Sequence, residues 1–263
     1  MSRSRKALNT KDDCLPFSRY FSFLGAEDPE SFLSPTEHPK DDVPYLGSFV
    51  PGVSNEVGSL NALTHPEKTQ KLRKNIPRKT RSSPKNTLVL ELEGTLAVSS
   101  LTAHWDDALR SVASFQGRCY QVSIKLRPHV EEFLEVLAQA YEVFVFTAAK
   151  QDYAVKILEG LGPLKKLIRH QLYQEDCLCL HGSYVKDLSI LERDLDQTVA
   201  VATCPQAFPY QTSNVILIPR WLGDPQDQVL LQLIPVLHKL TQASDIRVEI
   251  GNVNSRSGVT AFH

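Results

Sequence analysis

From residue 87 onward, short apolar runs alternate with amphipathic stretches. Thr87-Leu88-Val89-Leu90-Glu91-Leu92 is an apolar run that turns acidic at its end. Residues 120–126 are β-rich, with Tyr120, Val122 and Ile124 in alternation. Pro128 suits the first turn of a helix carrying Val130, Phe133, Leu134 and Leu137 at helical spacing. Residues 143–147 read as a buried strand, 152–161 as a helix and 178–185 as a small hairpin around Gly182. Strands at 199–202 and 215–218 follow, then a closing helix over 226–240 that Pro235 interrupts. Near-continuous apolar strands alternating with amphipathic helices predict an α/β fold, a parallel sheet with helices on both faces. Ligands in such sheets bind at the carboxyl ends of the strands. The residues just after Leu90, Phe146 and Val201 are therefore expected to converge.

Before residue 86 no such pattern holds. Nine of the sixteen prolines fall in residues 1–85, and the apolar clusters there, such as Phe17, Tyr20, Phe21, Phe23 and Leu24, have no sustained period. Such a stretch buries too little apolar area to offset its ordering entropy, so 1–85 is expected to be a mostly disordered leader. A folded domain is expected over 86–250, and a tail over 251–263. Residues 68–85 hold eight basic side chains and no acid. That run suits a nuclear-localisation signal, a phosphate-binding arm, a phosphorylation target at Ser82 and Ser83, or a solvated linker. Localisation is accordingly expected to be nuclear or cytoplasmic.

Composition removes other classes. With 42% hydrophobic and 22% charged residues the chain is globular in character. A net charge of -1 gives no global reason to seek nucleic acid or anionic membrane, outside the 68–85 run. No apolar run is long enough to span a bilayer, and the first fifteen residues lack the apolar core of a signal peptide. Five scattered cysteines, at 14, 119, 177, 179 and 204, suggest free thiols in a reducing compartment. Cys204 has no arginine six residues on, so a thiol-phosphatase loop is absent.

At the expected strand ends stand Glu91 and Glu93 with Thr95, then Thr147, and Ala202 with Thr203 and Cys204; Lys186 follows the hairpin. Two carboxylates one residue apart, a hydroxyl and a lysine suit an anion or metal site. Taken alone, the acids equally suit a solvated strand end.

Residues 87–100, TLVLELEGTLAVSS, resemble LVLDLDETLVHSS, the opening motif of the CTD small phosphatases and their like-proteins, in the haloacid dehalogenase superfamily. The likeness runs from 78 to about 247, through RPHVEEFLEVLAQAYEVFVFTA at 127–148, RHQLYQEDCLCLHGSYVKDLSILERDL at 169–195 and CPQAFPYQTSN at 204–214. It implies a haloacid dehalogenase-like, Rossmannoid parallel sheet with a small β-hairpin insertion. It also implies phosphoserine or phosphothreonine hydrolysis through an aspartyl-phosphate, with Mg²⁺ and the lysine neutralising the transferring phosphoryl group. The matching positions are Glu91 for the nucleophile, Glu93 for the general acid–base, Thr147 for the phosphate-binding hydroxyl and Lys186 for the lysine. Glu91 and Glu93 are also the vestigial metal positions.

Four positions depart from the family pattern in ways that bear on catalysis. Glu91 and Glu93 each add a methylene to an aspartate, moving the carboxylate by roughly 1.5 Å, where about 1 Å can cost 10²-fold in rate. Gly94 replaces a glutamate. Ala202 stands where the metal-binding aspartate belongs, and a methyl binds no cation. The resemblance then implies a catalytically impaired pseudophosphatase that binds a phosphorylated or acidic protein segment and needs no cofactor. The alternative is an active Mg²⁺-dependent protein serine/threonine phosphatase. A nucleotide-binding module is disfavoured, because GTLAVSS is no glycine-rich phosphate loop. His129 and His170 are read as structural, Trp221 as core and His181 as a loop histidine.

Overall fold

The computed structural model describes residues 76–102, 105–115, 118–180 and 183–256. The leader reading for residues 1–75, His181, and the turn at Gly182 lie outside these described residues. Numbered along the chain, β1 (Asn86–Leu90), β5 (Tyr141–Phe146), β6 (His170–Leu172), β9 (Thr198–Ala202) and β10 (Val215–Leu217) form one parallel sheet. Their order is β10-β9-β1-β5-β6. Every residue of β1, β5 and β9 is buried, which accounts for the unbroken apolar runs: both faces of these strands are covered. Leu90 pairs with Val145 on one side and Val201 on the other, so these strands end nearly level.

On one face Val89, Phe144, Phe146, Ala200 and Ala202 pack under Leu188, Leu191 and Phe208. The cover there includes short 3₁₀ turns (Leu188–Leu191 and Pro205–Ala207). The helices are α1 (Val130–Ala140), α2 (Gln151–Glu159), α3 (Val229–Leu240) and α4 (Ile246–Arg256), and α1 packs on α3. The expected interruption at Pro235 does not occur: α3 continues through it. Pro235 is exposed and Leu231, four residues back, is only half-buried, so the proline lies on the solvent side of the helix. The stretch expected as a tail begins within α4.

Two antiparallel pieces complete the fold. β2 (Ala97–Ser100), β3 (Leu109–Phe115) and β4 (Arg118–Leu126) form a sheet in the order β2-β4-β3. The alternating residues at 120–126 therefore belong to a separate small sheet and not to the parallel one. The expected hairpin is present as β7 (Leu178–Leu180) and β8 (Ser183–Val185).

The ordered domain begins ahead of β1. Ile76 is buried in the core, and the Pro77 carbonyl accepts a hydrogen bond from Arg193 at 2.8 Å. Lys79 pairs at 3.8 Å with Glu142, a carboxylate only 2% exposed. Arg193 holds Glu142 through Nε at 2.8 Å and NH2 at 3.0 Å, and His170 meets it at 3.0 Å. These bonds tie residues 76–79 of the basic run to the domain while Arg78, Arg81 and Lys85 stay exposed, which composition alone did not indicate.

Burial pushes the Glu142 carboxyl up, but Arg193, followed by His170 and Lys79, outweighs it and holds the group below the usual carboxylate range. A carboxyl depressed in the fold adds stability above its unfolded value of about 4.3 and loses it as pH falls through the folded value. Urea midpoints are expected to drop on acidification below about pH 4. Glu142→Gln is expected to cost about 2 kcal/mol at pH 7 and to shrink that acid-sensitive part. An unchanged acid limb in the variant would mean that another carboxylate carries it.

Candidate functional site

Level strand ends bring the expected residues together. Glu91 is the first residue beyond β1, Thr147 the first beyond β5, and Thr203 the first beyond β9. Lys186 follows β8 and is fixed by its own backbone, whose N–H donates to the Ala207 carbonyl at 2.9 Å. Glu91, Thr147 and Lys186 are all buried.

The donors in this pocket are spent on the two glutamates. Lys186 Nζ lies 2.6 Å from Glu91 Oε1. The Thr203 backbone N–H donates to Glu91 Oε2 at 2.8 Å, and its hydroxyl lies 3.3 Å from the same oxygen. The Thr147 hydroxyl donates to Glu93 Oε2 at 2.8 Å and accepts the Ala149 N–H at 3.0 Å. Glu93 Oε1 is buried without a hydrogen-bond partner among the described residues.

Burial raises the Glu93 carboxyl, against a smaller lowering by the Thr147 hydrogen bond, so the group is biased toward its neutral acid form. Burial works to lower the Lys186 ammonium, but the charge and hydrogen bond of Glu91 outweigh it and the ammonium is held above its ordinary range. Lys186 and Glu91 thus cancel in charge, and the pocket offers little net positive field to an incoming anion. Desolvation and the Glu91 carboxylate push the exposed Cys204 thiol up, which keeps it from acting as a thiolate. The free-thiol expectation holds for Cys119, Cys177 and Cys204, but it fails at Cys179, which is disulfide-bonded: scattered spacing along the chain does not tell which sulfurs the fold brings together.

A Mg²⁺ ion here would need oxygens that the described residues do not supply. Both Glu91 oxygens are engaged by protein donors, and Ala202 presents a fully buried methyl whose backbone carbonyl accepts the Ile218 N–H. Among the described residues no group of three or more His, Cys, Asp or Glu is placed to hold a metal. The side chains present therefore do not fit the ion that the resemblance implies.

Several residues frame the site in ways that the sequence did not indicate. Thr203 is the neighbour of a departed ligand, yet its backbone N–H grips Glu91. Gly94, which replaces a glutamate, shapes the loop through its backbone. At φ +75° it takes a left-handed conformation, and a Cβ there would meet Arg220 Cγ at 2.7 Å. The exposed Arg220 thus lies across the glycine, one residue from Glu93. Arg127, 1% exposed, makes two 2.8 Å bonds to Asp227 and reaches the carbonyls of Gly94, Thr95 and Pro219. Trp221 is core as expected, and its backbone N–H donates to the Gly94 carbonyl at 2.8 Å.

Comparison with known proteins bears on this geometry. The profile of the family described as NLI interacting factor-like phosphatase matches residues 86–247. CTD small phosphatase-like protein 3 of Caenorhabditis elegans is 43% identical over 173 residues, 65% of this chain and 60% of that protein. CTD small phosphatase-like protein 2 of Dictyostelium discoideum is 42% identical over 175 residues, 66% of this chain and 31% of that protein. The chain spans less than two thirds of these relatives. The fission yeast RNA polymerase II CTD phosphatase Fcp1, solved with beryllium fluoride bound, has the same fold. It superposes with a TM-score of 0.52 at 16% identity, covering 68% of each chain. The haloacid dehalogenase-like α/β arrangement that the resemblance implied is thereby borne out. With its profile match extending over more than half of its length, the chain belongs to the NLI interacting factor-like phosphatase family.

Proposed function

We propose that this chain is a catalytically impaired member of its family, a pseudophosphatase domain that binds a phosphorylated or acidic protein segment. One observation carries this reading: the Glu91 carboxylate sits in the grip of Lys186 and the Thr203 N–H, where an attacking group must be free. A carboxylate with a short hydrogen bond on each oxygen is a poor nucleophile, and in-line attack tolerates little displacement. The loss of the oxygen ligand at Ala202 supports the same reading, because phosphoryl transfer depends on charge neutralisation around the phosphorus.

Binding uses the same groups differently. A phosphate or carboxylate of the partner competes with Glu91 for Lys186 and Thr203, while the exposed Arg220 supplies a cation beside the pocket. The Lys79, Arg81 and Lys85 side chains keep a basic surface ahead of β1, consistent with a nuclear or cytoplasmic partner of acidic character.

The test measures two quantities on the same preparation. Aryl phosphate with Mg²⁺ is expected to give no turnover above the uncatalysed rate. A phosphoserine peptide is expected to bind about tenfold more tightly to Glu91→Gln than to the parent, because the competing charge is gone. Turnover that disappears in Glu91→Gln would establish the active phosphatase instead. A flat rate with no peptide binding to either form would remove the binding role.

A further inference from the structure

The turn ahead of β1 carries chemistry that the pocket does not use. Residues 80–83 close on themselves: the Ser83 N–H donates to the Thr80 carbonyl at 3.0 Å, and the Thr80 N–H donates to Ser83 Oγ at 3.2 Å. Arg169, which directly precedes β6, reaches over and donates through NH1 to Ser83 Oγ at 2.8 Å. Arg169 is exposed, and its remaining guanidinium N–H groups make no other bond among the described residues. Arg81 and Lys85 flank the serine, both exposed and without an ion-pair partner among the described residues. Pro84 follows Ser83 directly.

We propose that Ser83 is a phosphorylation site for a proline-directed serine/threonine kinase, and that Arg169 receives the phosphate. The kinase step joins Ser83 Oγ to the γ-phosphorus of ATP and breaks the β–γ phosphoanhydride bond. ADP leaves, and the hydroxyl proton passes to the base of the kinase. The new group carries about -1.5 to -2 charges at pH 7 and three strong acceptor oxygens. It arrives beside a guanidinium already in hydrogen-bonding reach, whose planar fork suits two parallel bonds to phosphate. Residues 76–85 hold Arg78, Lys79, Arg81 and Lys85 and no acid, and among the described residues only Lys79 of these is ion-paired, with Glu142. The phosphate relieves that like-charge crowding and pins the strap to the start of β6.

Ser82 is the internal control. It is exposed, but its hydroxyl contacts Thr80 and no cation among the described residues, and serine follows it instead of proline.

The full chain is incubated with a proline-directed kinase and ATP, the modified residue is mapped by mass spectrometry, and the melting temperature is recorded. Phosphate is expected on the parent and on Ser82→Ala, and absent from that segment in Ser83→Ala. The phosphorylated parent is expected to melt about 2–6 °C higher than the unmodified chain. Arg169→Gln, whose unmodified melting point serves as its own folding control, is expected to accept phosphate without that gain; Arg169→Lys is expected to keep part of it. Absence of phosphate on Ser83 would overturn the site. An equal or negative change in melting temperature in the parent and in Arg169→Gln would overturn the role of Arg169.

Discussion

Changing Glu91, Glu93 and Ala202 together to aspartate is expected to produce Mg²⁺-dependent hydrolysis of an aryl phosphate at least about 10²-fold above the parent chain. The reason lies in reach. Glu91 now extends far enough to take the Lys186 ammonium at 2.6 Å and the Thr203 N–H at 2.8 Å together. Removing one methylene withdraws the carboxylate and loosens that double hold. Shortening Glu93 likewise draws it from Thr147, freeing a hydroxyl that the resemblance assigns to phosphate. An aspartate at position 202 adds the anionic oxygen that the strand end lacks.

This change carries its own signature apart from catalysis. Ala202 is fully buried, so a carboxylate there is destabilising until a cation neutralises it. The triple variant should melt below the parent in chelator and regain several degrees in millimolar Mg²⁺, while the parent should not respond. Two results would count against the argument: a Mg²⁺-stabilised triple variant without turnover, or a parent that already hydrolyses the substrate at the variant's rate. In the first case the glutamates are not what holds the chain back.

Arg127→Ala is expected to cost about 3–5 kcal/mol in urea unfolding. This is the largest single-residue loss foreseen. The guanidinium is 1% exposed and satisfies both oxygens of Asp227 and three backbone carbonyls. Truncation leaves that carboxylate partly buried without its counter-ion, and the carbonyls of Gly94 and Thr95 without this donor. Arg127→Lys should recover only part of the loss, since one ammonium cannot reproduce a planar fork. Because Gly94 lies next to Glu93, the variant should also loosen the acid loop, read as faster amide exchange at 92–96. A loss under about 1 kcal/mol would show that water replaces the clamp readily.

The stretch from Thr87 to Leu92 illustrates how much was legible without coordinates. Its unbroken apolar run announced a strand covered on both faces, and its acidic end announced where chemistry would gather. Pro128 with Val130, Phe133, Leu134 and Leu137 announced α1 just as directly. The 120–126 stretch shows the limit: alternation identifies a half-exposed strand but not which sheet it joins. Pro235 shows another, because local sequence does not tell whether packing will carry a helix through a proline that costs it a hydrogen bond.

Period and order of apolar residues therefore determined the α/β class and the point of convergence, while the resemblance of 87–100 and 199–204 to the family pattern marked the two glutamates and the missing oxygen at Ala202. These are local properties, carried by spacing along one segment. Tertiary structure alone decided that Lys186 and Thr203 hold Glu91, that Arg220 lies across Gly94, that Arg127 clamps Asp227, and that Pro77, Lys79 and Ser83 of the basic run are tied down by Arg193, Glu142 and Arg169. Each of these joins residues far apart in the chain, and hydrogen-bond partners across such distances depend on where strands end in space. A sequence states which donors and acceptors exist, and only the packed fold decides which of them meet.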